Sequence, residues 1–217
     1  MLDNSLMRTT IRDATNALQN SPNGELPKIF RIRIWKCFGP KRSEGGIALP
    51  PSPGVVGRYE LERLCVEKAV PIWQKRFPAE KTPRVVMQCA DQVLVDRSQI
   101  DYARRLYDES WLFSDNISAS LFDSDPKKQY IAQVSYAACR LLGIAISDES
   151  YNESDVDDPT YLAFDPYHED PALSASCAIS QGSPFDTGSD NQLRRKFWLW
   201  YLRSAIPEAV KRLEGEP

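Results

Sequence analysis

His168 is the only histidine in the chain, so any mechanism that needs an imidazole base must use it. It stands in Tyr167-His168-Glu169 between Pro166 and Pro171, and no G-x-S-x-G turn is present to supply a nucleophile. That context reads as an acidic loop rather than a triad. Walker A, G-x-G-x-x-G and H-E-x-x-H patterns are also missing, so the common phosphate-cradling and zinc-hydrolase chemistries have no carrier. Asp155-Val156-Asp157-Asp158 and Asp123-Ser124-Asp125 gather the oxygen ligands that calcium takes, but an EF-hand loop needs Gly at its sixth position. Thr160 and Lys128 stand there instead. Five cysteines, Cys37, Cys65, Cys89, Cys139 and Cys177, are an odd number and contain no C-x-x-C, which fits neither a disulfide framework nor a zinc site. They read as small buried apolar residues in a reducing compartment. No metal and no cofactor is expected.

Charge is more informative. The 53 residues between Arg140 and Arg194 hold eleven acids and no Lys or Arg, so this stretch carries -11 while the rest of the chain carries +8. Large apolar groups alternate with the acids, which a purely solvating loop does not need. The candidate partner-binding residues are therefore Asp148, Glu149, Glu153, Asp155, Asp157, Asp158, Tyr161, Asp165, Tyr167, Glu169 and Asp170. A block of one sign repels nucleic-acid phosphates and steers a protein of the opposite sign into contact. The basic counterpart is Lys28, Arg31, Arg33, Lys36, Lys41 and Arg42, interleaved with Ile29, Phe30, Ile32, Ile34 and Trp35. This alternation predicts a short β-strand with one basic face. A solvated face is the preferred reading of it, and a nucleic-acid-associated helical protein is the alternative.

These features must be positioned by a body of 217 residues, 42% hydrophobic and 26% charged, which is an ordinary globular composition. No charge-free run of about 18 apolar residues is present to cross a membrane. The first residues lack the apolar core of a secretory signal, so a cytoplasmic location is expected. Met7, Ile11, Ala14 and Leu18 are spaced for a helix that Ser21-Pro22-Asn23-Gly24 stops. After a loop rich in Gly and Pro up to Gly54, the pattern is helical. One stripe joins Leu61, Leu64, Cys65, Ala69, Ile72 and Trp73, with Pro71 as a kink. Thr82-Pro83 should start the next helix, another begins near Ser98, and Ser124-Asp125-Pro126 opens a further one. Asp170 should cap a short helix from Pro171 to Ile179. Six consecutive large residues, Phe197 to Leu202, cannot all face one side of a helix, so the last helix is expected at the centre of the body. The expected fold is mainly α: a multi-helix globular bundle with a short N-terminal β element. Its division is residues 1–54 as helix, basic strand and linker, and 55–217 as the helical domain.

Cys65-Val66-Glu67-Lys68-Ala69-Val70-Pro71-Ile72-Trp73 with Phe77-Pro78, and Arg194 to Leu202 with Ile206-Pro207-Glu208-Ala209, carry a family resemblance. Together these segments resemble a bacterial polymorphic-toxin immunity protein family, the fifth Imm-type group. On these motifs the similarity runs from about Gly57 to Leu213, with residues 1–54 outside it. The resemblance implies a mostly helical, non-enzymatic cytoplasmic protein that binds a cognate toxin domain. It transfers no contact residues, because the matching motifs are structural. A toxin that is a nuclease with a basic cleft is the partner the charge map suits. The competing reading from another class is a metal-dependent enzyme of unknown chemistry, in which the acids serve as ligands.

Overall fold

Met7, Ala14 and Leu18 do fall on one buried stripe of α1 (Asn4–Asn20), joined by Thr10, while Ile11 is only partly buried at its margin. The chain then turns at Gly24, whose positive φ of 70° and close approach to the Asn191 carbonyl leave no room for a side chain. The computed structural model describes residues 4–40, 51–147 and 170–215. Among these described residues every regular element is helical and no strand occurs.

The expected basic strand is a helix, α2 (Lys28–Cys37). The same letters fit both periods, since Lys28, Arg31, Ile32, Trp35 and Phe38 lie at helical spacing and all are buried. Alternation misled because two of the basic residues, Lys28 and Arg31, point inward rather than to water. Only Arg33 of the described basic residues on α2 is fully exposed, so the ribbon offers no continuous basic face. Fully buried Arg58 donates to the carbonyls of Gly39 (2.7 Å) and Pro40 (3.2 Å), tying the exit of α2 to the next helix.

Ser52 caps that helix, α3 (Pro53–Arg76), by accepting from the Val55 amide at 3.3 Å, with Pro53 in the first turn. It continues through Pro71, whose side chain is exposed. Thr82, expected as the cap before a helix whose first residue is Pro83, is itself the first residue of α4 (Thr82–Val95), and Glu80 accepts from its amide and its hydroxyl. A tight turn, Arg97–Gln99, leads into α5 (Ile100–Ser124). A second tight turn, Pro126–Ile131, leads into α6 (Ala132–Ser147).

α6 is the axis. It buries twelve of its sixteen residues and is packed on by α3, α4, α5 and α7 (Pro171–Ile179). By length and composition the segment Pro126–Ser147 is apolar enough to cross a membrane, but 72% of that window is buried inside the bundle, as a core helix must be. The final arm is α8 (Asn191–Trp200), a wide π-turn over Tyr201–Ala205, and α9 (Ile206–Glu214). Pro207 lacks an amide hydrogen and its ring crowds the preceding turn, which accounts for the widened turn just before it. Phe197, Trp198, Tyr201 and Leu202 are buried and Leu199 and Trp200 half-buried, but the central place expected for the last helix belongs to α6, and α8 packs mainly on α7 and α1. All five cysteines are free and buried. Residues of α1 and α2 share a single hydrophobic core with those of α3 to α9.

Gly57 lets α3 pass close to α2, because a Cβ there would overlap the buried Phe38 ring and meet Leu213 at 3.1 Å. Gly57→Ala should therefore destabilise the fold by about 1–3 kcal/mol through overpacking. Urea unfolding checks it, with a lower midpoint and an unchanged slope.

Candidate partner-binding surface

Ten of the eleven residues singled out for partner binding, Asp148 through Glu169, lie outside the described residues. The structure describes how the body holds the chain on either side of them. On the leading side, Arg97 donates to the carbonyls of Ala145 and Ile146, both at 2.7 Å. A guanidinium at the last described turn of α6 suits the negative end of the helix dipole.

On the returning side stands Asp170, the eleventh residue. It caps α7 as expected, accepting from the Leu173 amide at 2.7 Å. Its other oxygen accepts from Arg31 Nε at 2.8 Å, and the residue is only 5% exposed. Both oxygens of this carboxylate are thus engaged inside the protein.

Arg31 sits at the middle of a buried polar cluster. Its Nη1 donates to Glu25 Oε1 (3.0 Å) and to the Leu26 carbonyl (2.6 Å), and its guanidinium lies 5.2 Å from the centre of the Trp198 ring. Glu62, fully buried on α3, accepts from Trp35 Nε1 at 3.0 Å and from the Ala172 amide at 2.7 Å. Arg194 closes the far side, donating to Ser180 Oγ (2.9 Å) and to the carbonyls of Gly182 (2.8 Å) and Asn23 (3.1 Å). Burial pushes the Glu25 carboxyl up to about 7, against the pull of Arg31. Burial, with Asp170 beside it, pushes Glu62 well above the usual carboxylate range. Burial disfavours charge on Arg31, but Asp170 and Glu25 outweigh it and hold the guanidinium charged. The cluster stitches α2, α3, α7, α8 and the turn after α1 together, and it is a structural device.

Nothing in the described body assembles a catalytic constellation. Among the described residues no three His, Cys, Asp or Glu side chains converge as metal ligands. A shallow cleft of 590 Å³ is lined by Asp91, Gln92, Val95, Asp96 and Gln99. Its Asp91 is held by Tyr59 (2.7 Å) and Arg63 (2.8 Å), and its Asp96 accepts from the Ser98 amide.

A protein-family model, that of immunity protein Imm5, matches residues 11–208. The chain belongs to the Imm5 immunity protein family. Membership implies a toxin as the partner and a role in toxin immunity rather than catalysis. No curated protein matches the chain. The match reaches back through α2 and most of α1, well before the Gly57 at which the motif resemblance began. Sequence reasoning did not anticipate the Arg31 cluster of this Imm5 protein. Its partners are up to 171 residues apart, and buried charges look like surface charges until a tertiary partner is known.

Removing Arg31 from the Imm5 fold leaves Asp170 and Glu25 buried without their cation. Arg31→Met should cost about 3–5 kcal/mol, read as a drop in the denaturation midpoint, with Arg31→Lys intermediate. Glu25 gives a pH signature. Its folded pKa lies above the usual 4.5, so the folded state keeps a proton that the unfolded chain releases. The stability this provides is full below about pH 4.5 and is lost as pH rises through 7. Glu25→Gln should make the fall in stability between pH 5 and 7 shallower, by up to about 3 kcal/mol over that range.

Proposed function

We propose that this Imm5 protein neutralises a cognate bacterial toxin domain by occlusion, covering a basic working surface of the toxin with its acidic stretch. The observation that carries the reading is charge. Residues 148–169 hold eight acids and no Lys or Arg, whereas the described residues are net basic, at +6. A polarised chain of this kind is suited to fast, oriented encounter with a positively charged partner. Tyr161 and Tyr167 supply the aromatic anchors that occlusion needs once contact is made. Asp170 is reassigned from contact to support, because its carboxylate is engaged by Arg31 and Leu173. The partner surface that fits best is the phosphate-binding cleft of a nuclease, which must be basic to hold its own substrate. The setting proposed is the cytoplasm of a bacterium that competes with polymorphic toxins, where the immunity protein protects its own cell.

The experiment uses the toxin domain encoded by the reading frame next to this chain. Replacing Asp155, Asp157 and Asp158 together by Asn should slow association with that domain and flatten the dependence of the rate on salt. Thermal stability should stay unchanged. An unaltered association rate and salt slope place the contact elsewhere on the molecule.

A further inference from the structure

We infer that the outward face of α5 is a docking surface for a basic protein surface that carries an apolar pocket; on the immunity reading, on which this rests, that surface belongs to the toxin domain. A helix needs one apolar stripe to join a bundle. α5 has two. The inner one runs through Ala103, Leu106, Tyr107, Ser110, Ser114, Ile117 and Leu121, all buried or packed against the core. It meets α6 through a seam of small residues: Ser114 Oγ donates to the Ser110 carbonyl at 2.7 Å and lies 2.7 Å from Ser135 Oγ.

The outer stripe runs Asp108, Leu112, Asp115, Ala119 and Phe122, spaced four, three, four and three residues apart, and every member is exposed. Leu112, Ala119 and Phe122 thus share one face of the helix, with Asp108 and Asp115 among them. Leu112 is 63% exposed and Phe122 56%. These are two of the seven exposed large apolar side chains among the described residues; exposed Tyr102 lies on the opposite side of α5 from Phe122. Nothing inside the bundle uses these side chains, and clustered exposed apolar groups mark interaction sites.

Charge selects the occupant. From Leu106 to Pro126 there is no Lys or Arg, and the run holds Asp108, Glu109, Asp115, Asp123 and Asp125. Asp125 pairs with Lys128 and Asp115 accepts from the Tyr136 hydroxyl. Asp108, Glu109 and Asp123 have no ion-pair partner among the described residues. Packing this face on a second copy of itself would set Asp108 and Asp115 against like charges, which disfavours self-association. A basic partner completes them. The helix also starts beside the end of α6, since Arg97 bonds Ala145 and Ile146, so it begins next to Ser147, after which the acidic stretch follows.

The test measures binding of the full chain to the toxin domain encoded beside it, by surface immobilisation or calorimetry. Leu112→Arg and Phe122→Arg should each weaken binding roughly thirtyfold or more, as loss of an anchor does. Leu112→Ala, which carries no new charge, should weaken it less but in the same direction. Val85→Arg, at an exposed apolar position on α4, should bind like the wild type, and all four variants should keep the wild-type melting temperature. In the complex, α5 amides should gain protection from hydrogen exchange. Wild-type binding that is unaltered in the three α5 variants overturns this inference and leaves the immunity reading intact. Failure of the wild-type chain to bind the domain overturns both. A dimer that Leu112→Arg converts to monomer, with toxin affinity unchanged, also overturns it.

Discussion

The fold depends on a buried guanidinium. Arg31 has left water, and only its two carboxylate partners and one carbonyl make that tolerable, because an unpaired charge in such a place costs several kcal/mol. Each partner lies on a different part of the chain: Glu25 and Leu26 in the turn after α1, Asp170 at the start of α7. Satisfying one cation therefore fixes where three segments meet. Glu62 extends the arrangement to α3 and to the first turn of α7, and Arg194 extends it to α8. Apolar packing around α6 supplies the bulk of the cohesion, but it is non-directional. The charged cluster supplies direction: it selects which face of α2 turns inward and where α7 begins.

This explains which parts of the structure were legible in the sequence. The stripes of α1 and α3 were readable, and α7 was readable from its local start signal, Asp170 with Pro171. The start of α3 was not: Ser52 and Pro53 read as the end of a Gly- and Pro-rich loop, whereas Ser52 caps the helix and Pro53 opens it. That the run Phe197–Leu202 needs burial was readable from its volume, but its place was not, since α6 rather than α8 holds the centre. α2 was not. Its letters satisfy a period of two and a period of 3.6, and the deciding fact is that Arg31 and Lys28 face inward. No local signal distinguishes a buried Arg from a solvated one. Arg194 repeats the lesson: it reads as a polar lead-in to α8, yet it is wholly buried against loop carbonyls. Of the candidate site, the sequence identified the acidic stretch by charge. It did not reveal that Asp170 belongs to the interior, since capping and pairing with a residue 139 positions away use the same carboxylate.

The acids of this protein fall into two populations with different physical consequences. Glu25, Glu62 and Asp170 are inside, where an isolated charge is costly, so their oxygens accept from guanidinium, indole or amide groups. Asp170 and Glu62 have both oxygens engaged inside the protein. Exposed acids cost little to maintain and contribute little to stability, because water screens them. Asp108, Glu109 and Asp123 on α5 have no cation among the described residues, and two of them flank apolar side chains that the core does not use. For a family whose partner is a toxin, this division has a direct reading. The internal charges hold a rigid frame, and the unspent external ones are available to whatever brings positive charge to it. An immunity protein that works by occupancy needs both, since a soft frame would give back in ordering entropy what its charges gain in attraction.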